Sequence, residues 1–206
     1  MAIRLKAKSS ALIIQDLQND VIIEGGAFAD SGAPAHAKKQ NVVANVKELA
    51  EAARKAGMAV IHVWFIVEPG AEEIKQNAPL FRGVKEAKAM VRGTWGAAPV
   101  KGLEAKKGDF VVEKKRMNAF HDTHLDTLLK GLGVDTVVVS GAWTNFSIEH
   151  TARHGADSGY RMVVLTDGTS TVNDEWQRAA INYALQNIAE RVSCRDVIKA
   201  LGKKAA

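Results

Sequence analysis

Thr136, Val137, Val138 and Val139 are consecutive β-branched residues, and the chain then runs Ser140-Gly141-Ala142-Trp143-Thr144-Asn145-Phe146-Ser147 before a helix-forming stretch. A run of this kind suits a strand buried on both faces, which in practice means a parallel sheet covered by helices. Gly141 ends the strand, Thr144 or Asn145 can cap a helix running through Arg153, and Ser147 then falls in its first turn. Unpaired N–H groups and the positive end of the helix dipole favour developing negative charge there. An oxyanion hole could be built at that point without a further side chain.

The rest of the chain repeats the alternation. A strand over Ala11 to Asp16 precedes a Gly- and Ala-rich loop, a long amphipathic helix from about Ala37 to Ala56, and a second strand, Ala59 to Ile66. Val67 to Lys107 reads as irregular with short helices, and loops of that length in compact domains are usually functional. Asp109 to Lys115 is the third strand, His124 to Leu132 a helix, Asp135 to Gly141 the fourth strand, Arg161 to Thr166 the fifth and Asn173 to Ile188 a further helix. The expected fold is α/β, with three α/β/α layers around a mostly parallel sheet.

Composition narrows the class. With 206 residues, 47% of them hydrophobic, and only 4 prolines, the chain can bury one sizeable core and offers no dividing linker, so a single domain over residues 1–206 is expected. The first ten residues lack an apolar signal region and no stretch approaches a membrane span, which leads to the expectation of a cytoplasmic protein without a membrane partner. The net charge is +5, but the lysines are scattered without interleaved aromatics, so no nucleic-acid partner is expected. Cys194 is the only cysteine; it has no internal disulfide partner and reads as a packing residue beside a last strand leading to a short helix.

Candidate chemistry sits at strand ends. A Ser or Cys attacking a carbonyl needs a base to take its proton; a carboxylate serves only if tuned, and a neighbouring lysine both tunes it and stabilises charge. Asp16, Lys114 and Ser147 all fall at C-terminal ends of expected strands, the edge where open α/β sheets bind ligands. Taken singly, Asp16 could be a turn former, Ser147 an ordinary helix N-terminal serine, and Lys114 one of several surface cations. Alternation along Phe110, Val112 and Lys114 nevertheless puts the lysine on a face shared with apolar residues. Glu149 and Arg153, spaced i,i+4, read as a helix-surface pair.

Three segments resemble the isochorismatase-like hydrolases, also called the cysteine hydrolase superfamily. ALIIQDLQND is similar to the family's opening strand and puts Asp16 at the base position. VVEKKRMNAF resembles its Lys-x-Arg-x-Ser/Asn-Ala-Phe pattern, which makes Lys114 the catalytic lysine. GAWTNFSIEHTAR resembles Gly-Val-x-Thr-Asn-x-Cys-Val-Glu-x-Thr-Ala-Arg, with Ser147 where the nucleophilic Cys stands. The matches span Ala11 to Tyr160 in order. The resemblance implies hydrolysis of a small amide, ureide or carbamoyl compound, a cis peptide bond between Ala142 and Trp143, an oxyanion hole from the backbone amides of Trp143 and Ser147, and a homo-oligomer, dimer or tetramer.

Ser147 is the departure. A free Cys has a pKa of roughly 8.5, a serine hydroxyl is several units harder to ionise, and each unit costs about 1.4 kcal/mol. Three readings fit: a serine introduced to trap a substrate, a natural serine enzyme, or a branch without a covalent step, as the isochorismatases proper resemble in cleaving a vinyl ether. A small-molecule-binding homologue without turnover is the non-enzymatic alternative.

Val21, Trp64, Trp95, Phe120 and Trp143 are the expected walls of a small apolar slot suited to a planar amide or ureide. The six histidines form no tight ligand cluster; only His150 and His154 share a helix face, and the zinc-binding Asp-x-His pattern that the resemblance to the related nicotinamidases would call for is not found after the second strand, which reads HVWFIVEPG. No metal and no cofactor are expected.

Overall fold

The computed structural model describes residues 3–202. Strands β1 (Ser10–Gln15), β2 (Ala59–Phe65), β3 (Phe110–Lys114), β4 (Thr136–Ala142), β5 (Arg161–Ser170) and β6 (Glu190–Val192) join in one all-parallel sheet in the order β3-β2-β1-β4-β5-β6. The chain steps outward from β1 to β3 on one side and from β4 to β6 on the other. The order therefore reverses between β1 and β4, and an open α/β sheet has its ligand crevice beyond the C-terminal ends of the strands at such a point.

The helices are α1 (Asn19–Ile22), α2 (Ala33–Lys39), α3 (Val42–Ala56), α4 (Pro79–Glu86), α5 (Leu125–Gly131), α6 (Glu149–Asp157), α7 (Asp174–Ala179) and α8 (Cys194–Leu201). Every residue of β1 is buried, and its side chains divide between two cores. Leu12 and Ile14 join Val60, Val138 and Val163 under Val46 and Leu49 of α3 and Val197 of α8. Ala11 and Ile13 join Ile61, Val63, Val137 and Val139 under Leu125 and Leu129 of α5 and Ala152 of α6. The period of two along a doubly covered strand thus produces three layers.

Several boundaries differ from the sequence reading for local reasons. The long helix expected from Ala37 to Ala56 is broken between α2 and α3 at Asn41, whose φ of 53° is left-handed, a conformation asparagine tolerates better than most residues. Asn45 holds the break, donating from Nδ2 to the carbonyls of Gln40 (3.1 Å) and Asp167 (2.9 Å). The helix after Asn173, whose side chain accepts from the Trp176 N–H, passes at Ala180 into a wider π-type turn over Ala180–Ala184. The fourth strand runs one residue past Gly141, to Ala142. A Cβ on Gly141 would stand 2.0 Å from the Gln15 carbonyl oxygen, so only glycine lets β4 pass that close to β1.

At the opposite edge of the sheet, Asp109 ties α3 to β2. Its carboxylate accepts from Arg54 Nε (2.9 Å) and an Arg54 terminal nitrogen (2.6 Å), from the Lys106 N–H (2.8 Å), and contacts His62 Nε2 at 3.0 Å. Burial alone would raise the Asp109 pKa, but the hydrogen bonds from Arg54, Lys106 and His62 outweigh it and hold the group at about 2. A carboxylate with a depressed folded pKa stabilises the fold above its unfolded value of 3.8 and loses that contribution as pH falls toward about 2. Asp109→Asn is expected to cost about 2–3 kcal/mol at neutral pH. Urea unfolding should show the deficit shrinking below pH about 4.

Candidate active site

The three strand ends meet at the switch point. Asp16 follows β1 with a left-handed φ of 54°, and its N–H donates to the Val63 carbonyl at 2.9 Å, which turns the side chain over the sheet edge. Lys114, the last residue of β3, lies with its side chain fully buried and its Nζ 2.8 Å from Asp16 Oδ2. The same ammonium donates to the Arg116 carbonyl at 2.8 Å and sits 4.7 Å from the centre of the Phe65 ring. Asp16 Oδ1 is buried and has no hydrogen-bond partner among the described residues. Burial pushes the Asp16 carboxyl up against the pull of Lys114, and burial pushes Lys114 down against the pull of Asp16, as expected when both groups leave water.

Ser147 lies on the other side of the switch point and is 7% exposed. The turn that carries it is a π-type turn over Thr144–Ile148, which leads into α6. Neither Thr144 nor Asn145 caps it, contrary to the sequence expectation. The Thr144 hydroxyl donates to Gln177 Oε1 (2.6 Å), and Asn145 Oδ1 accepts from the Thr171 hydroxyl (2.5 Å). Both side chains bind the turn to neighbouring segments instead of closing its end. Gln15 ties the turn to β1 and the lysine strand, donating from Nε2 to the carbonyls of Met117 (2.9 Å) and Ser147 (3.3 Å). The Ala142–Trp143 peptide bond is cis.

Asp16 and Ser147 line one small cavity of about 50 Å³. Val21 and Trp143 also line it. Trp143 packs edge-on against Phe28 at 5.8 Å and donates from its indole nitrogen to the Val21 carbonyl at 3.3 Å. Three expected wall residues lie elsewhere. Trp64 points to the other side of β2 from Phe65 and packs beside His62. Trp95 is 56% exposed. Phe120 stacks between His154 and Tyr160 in the opposite core. Their places are taken by Phe28, Phe65, Phe146, Met90 and Met117, and by Leu80 and Val84 of α4.

The sequence reading gives the insertion between β2 and β3 no anchor, and the structure supplies one in the residues just after Asp16. Gln18 donates to the carbonyls of Phe65 and Ala97 and accepts from the Phe65 N–H at 2.8 Å. Asn19 donates to the Trp95 carbonyl, and Asp20 accepts from the N–H groups of Ala27 and Met90. These buried amides and carboxylate hold the Val67 to Lys107 stretch over the site. A polar run immediately after a buried strand is the signal that could have identified them.

Among the described residues no group of His, Cys, Asp and Glu is close enough to hold a metal ion. His150 contacts the Phe146 carbonyl through Nδ1 and His154 stacks on Phe120, so the pair on α6 faces separate surroundings. No helix among the described residues is long and apolar enough to cross a membrane. Cys194, 3% exposed, starts α8, where its N–H donates to Asp167 at 2.7 Å.

Comparison with known proteins gives one consistent picture. A family model described as the Isochorismatase domain matches residues 10–196. The ureidoacrylate amidohydrolase RutB of Enterobacter sp. (strain 638) is 34% identical, with 93% of this chain and 88% of the relative covered. Its counterpart from Yersinia enterocolitica is 32% identical at the same coverage. An isochorismatase family protein of Desulfovibrio vulgaris superposes with a TM-score of 0.81 at 29% identity, over 95% of this chain and 99% of that one. A cysteine hydrolase of Pseudomonas syringae shares the fold, with a TM-score of 0.85 at 24% identity over 97% and 95% of the two chains.

Proposed function

This chain belongs to the isochorismatase family, and we propose that it hydrolyses a carbon–nitrogen bond in a small amide, ureide or carbamoyl compound. One observation carries the reading. The Asp16 carboxylate is held at one oxygen by a fully buried lysine, while its other oxygen is unpartnered among the described residues, in a cavity shared with Ser147. A carboxylate raised by burial is a tuned base, and an adjacent hydroxyl is the group it would serve.

In this mechanism Asp16 takes the Ser147 proton as Oγ attacks the carbonyl carbon. Lys114 fixes the carboxylate and balances its charge. The Trp143 N–H, which has no backbone hydrogen-bond partner among the described residues, and the Ser147 N–H receive the oxyanion. Protonated Asp16 then gives its proton to the departing nitrogen as the carbon–nitrogen bond breaks. Water, deprotonated by Asp16, cleaves the acyl ester and regenerates Ser147. The names of the amidohydrolase relatives support a carbon–nitrogen substrate.

Released ammonia, followed over a panel of small amides and ureides, tests the proposal; no release from any of them would overturn it. The pH profile gives a second check. Because burial raises Asp16 and lowers Lys114, kcat/KM should fall on the acid side above the ordinary aspartate value of about 3.9 and on the alkaline side below about 10.4. The two limbs report the pair as a unit.

A further inference from the structure

We propose that the substrate of this site is neutral, with an apolar substituent beside the scissile bond, and that the site rejects carboxylate-bearing analogues. The inference rests on the hydrolase reading above and goes further, because it names what fills the cavity.

Apart from Asp16 and Ser147, every residue lining the cavity is aliphatic, aromatic or methionine. The one polar atom of the Trp143 indole is already committed to the Val21 carbonyl. Among the described residues no cation faces the space: the Lys114 side chain is fully buried and spent on Asp16 and the Arg116 carbonyl. Arg116 is not part of the lining; its guanidinium lies 4.3 Å from the centre of the Phe81 ring and donates to the Lys75 carbonyl and Asn77 Oδ1. With the Trp143 and Ser147 N–H groups taken up by the scissile carbonyl, a substrate carboxylate would lose its water without a side-chain cation to replace it, beside a carboxylate of its own sign. An alkyl or aryl group would instead gain from leaving water against Phe28, Phe146 and Leu80. The relatives carry the name ureidoacrylate amidohydrolase, an acid substrate, so the lining argues that this chain has a different specificity.

Matched pairs test it. Isocaproamide and succinamate differ by an isopropyl group in place of a carboxylate, as do isobutylurea and N-carbamoylglycine. The neutral member should be hydrolysed with a kcat/KM at least about 100-fold higher, equivalent to about 2.7 kcal/mol at 1.36 kcal/mol per tenfold. Leu80 is half-buried on α4, and Leu80→Arg should raise succinamate turnover about 10-fold while lowering that of isocaproamide, a crossing that loss of folding cannot produce. If nothing is hydrolysed, the hydrolase reading fails, and calorimetric binding decides the specificity. Tighter binding of the neutral members supports the proposal; equal or tighter binding of the acids, or no binding of either, overturns it.

Discussion

Asp16→Asn should lower kcat by at least about 1,000-fold, within the range that one positioned general acid and base supplies, while leaving the fold intact. The change keeps the shape of the side chain and removes the group that the proposed mechanism uses to take a proton from Ser147 and return it to nitrogen. It also leaves Lys114, whose side chain is fully buried, without its counter-ion. That cost gives the variant a separate signature. A lysine whose folded pKa is lowered binds fewer protons in the native chain than in the unfolded one, so stability rises with pH until the unfolded value of about 10.4 is reached. Urea unfolding of Asp16→Asn should show a deficit at neutral pH that shrinks toward pH about 10. Pairing it with Lys114→Met should recover stability without recovering turnover. Activity retained by Asp16→Asn would remove Asp16 from the chemistry.

The strand ends carrying Asp16, Lys114 and Ser147 were legible in the sequence because each follows a run whose apolar pattern has only one good use. The six buried residues of β1 and the valines of β4 fit a strand covered on both faces, and that locates each end to within one residue. The pocket walls were less legible. Trp64 and Phe65 are neighbours, and the period of two sends only one of them to the cavity; bulk and position favour Trp64 until the register with β3, in which Phe65 opposes Lys114, decides for Phe65. Trp95 and the residues of α4 belong to an insertion whose path is set by Gln18, Asn19 and Asp20 through contacts more than 45 residues away in sequence, such as Gln18 to Phe65 at a separation of 47. No local pattern carries that information. Asn145 reads as a cap because its residue type favours one, but the Thr171 hydroxyl competes for the same oxygen and wins.

Ser147→Cys is the substitution expected to raise activity most. The base proposed for this site is a carboxylate, and even raised by burial it is far better matched to a thiol near 8.5 than to a hydroxyl several units higher. Part of each unit, worth about 1.4 kcal/mol, is expressed in the barrier, so a gain of at least about 100-fold in kcat/KM is expected. The Ser147→Cys variant should also become sensitive to iodoacetamide, and the parent chain should not. The parent's own Cys194 is 3% exposed, and burial together with the nearby Asp167 carboxylate pushes its thiol well above the ordinary range, so it is a poor nucleophile. Alkylation that removes activity from the Ser147→Cys variant alone would locate the attacking atom. Ser147→Ala probes the same role from the other side: under a covalent mechanism it loses the activity of the serine chain, while a variant that keeps its rate would mean that Asp16 acts on substrate or water directly and that residue 147 only shapes the pocket.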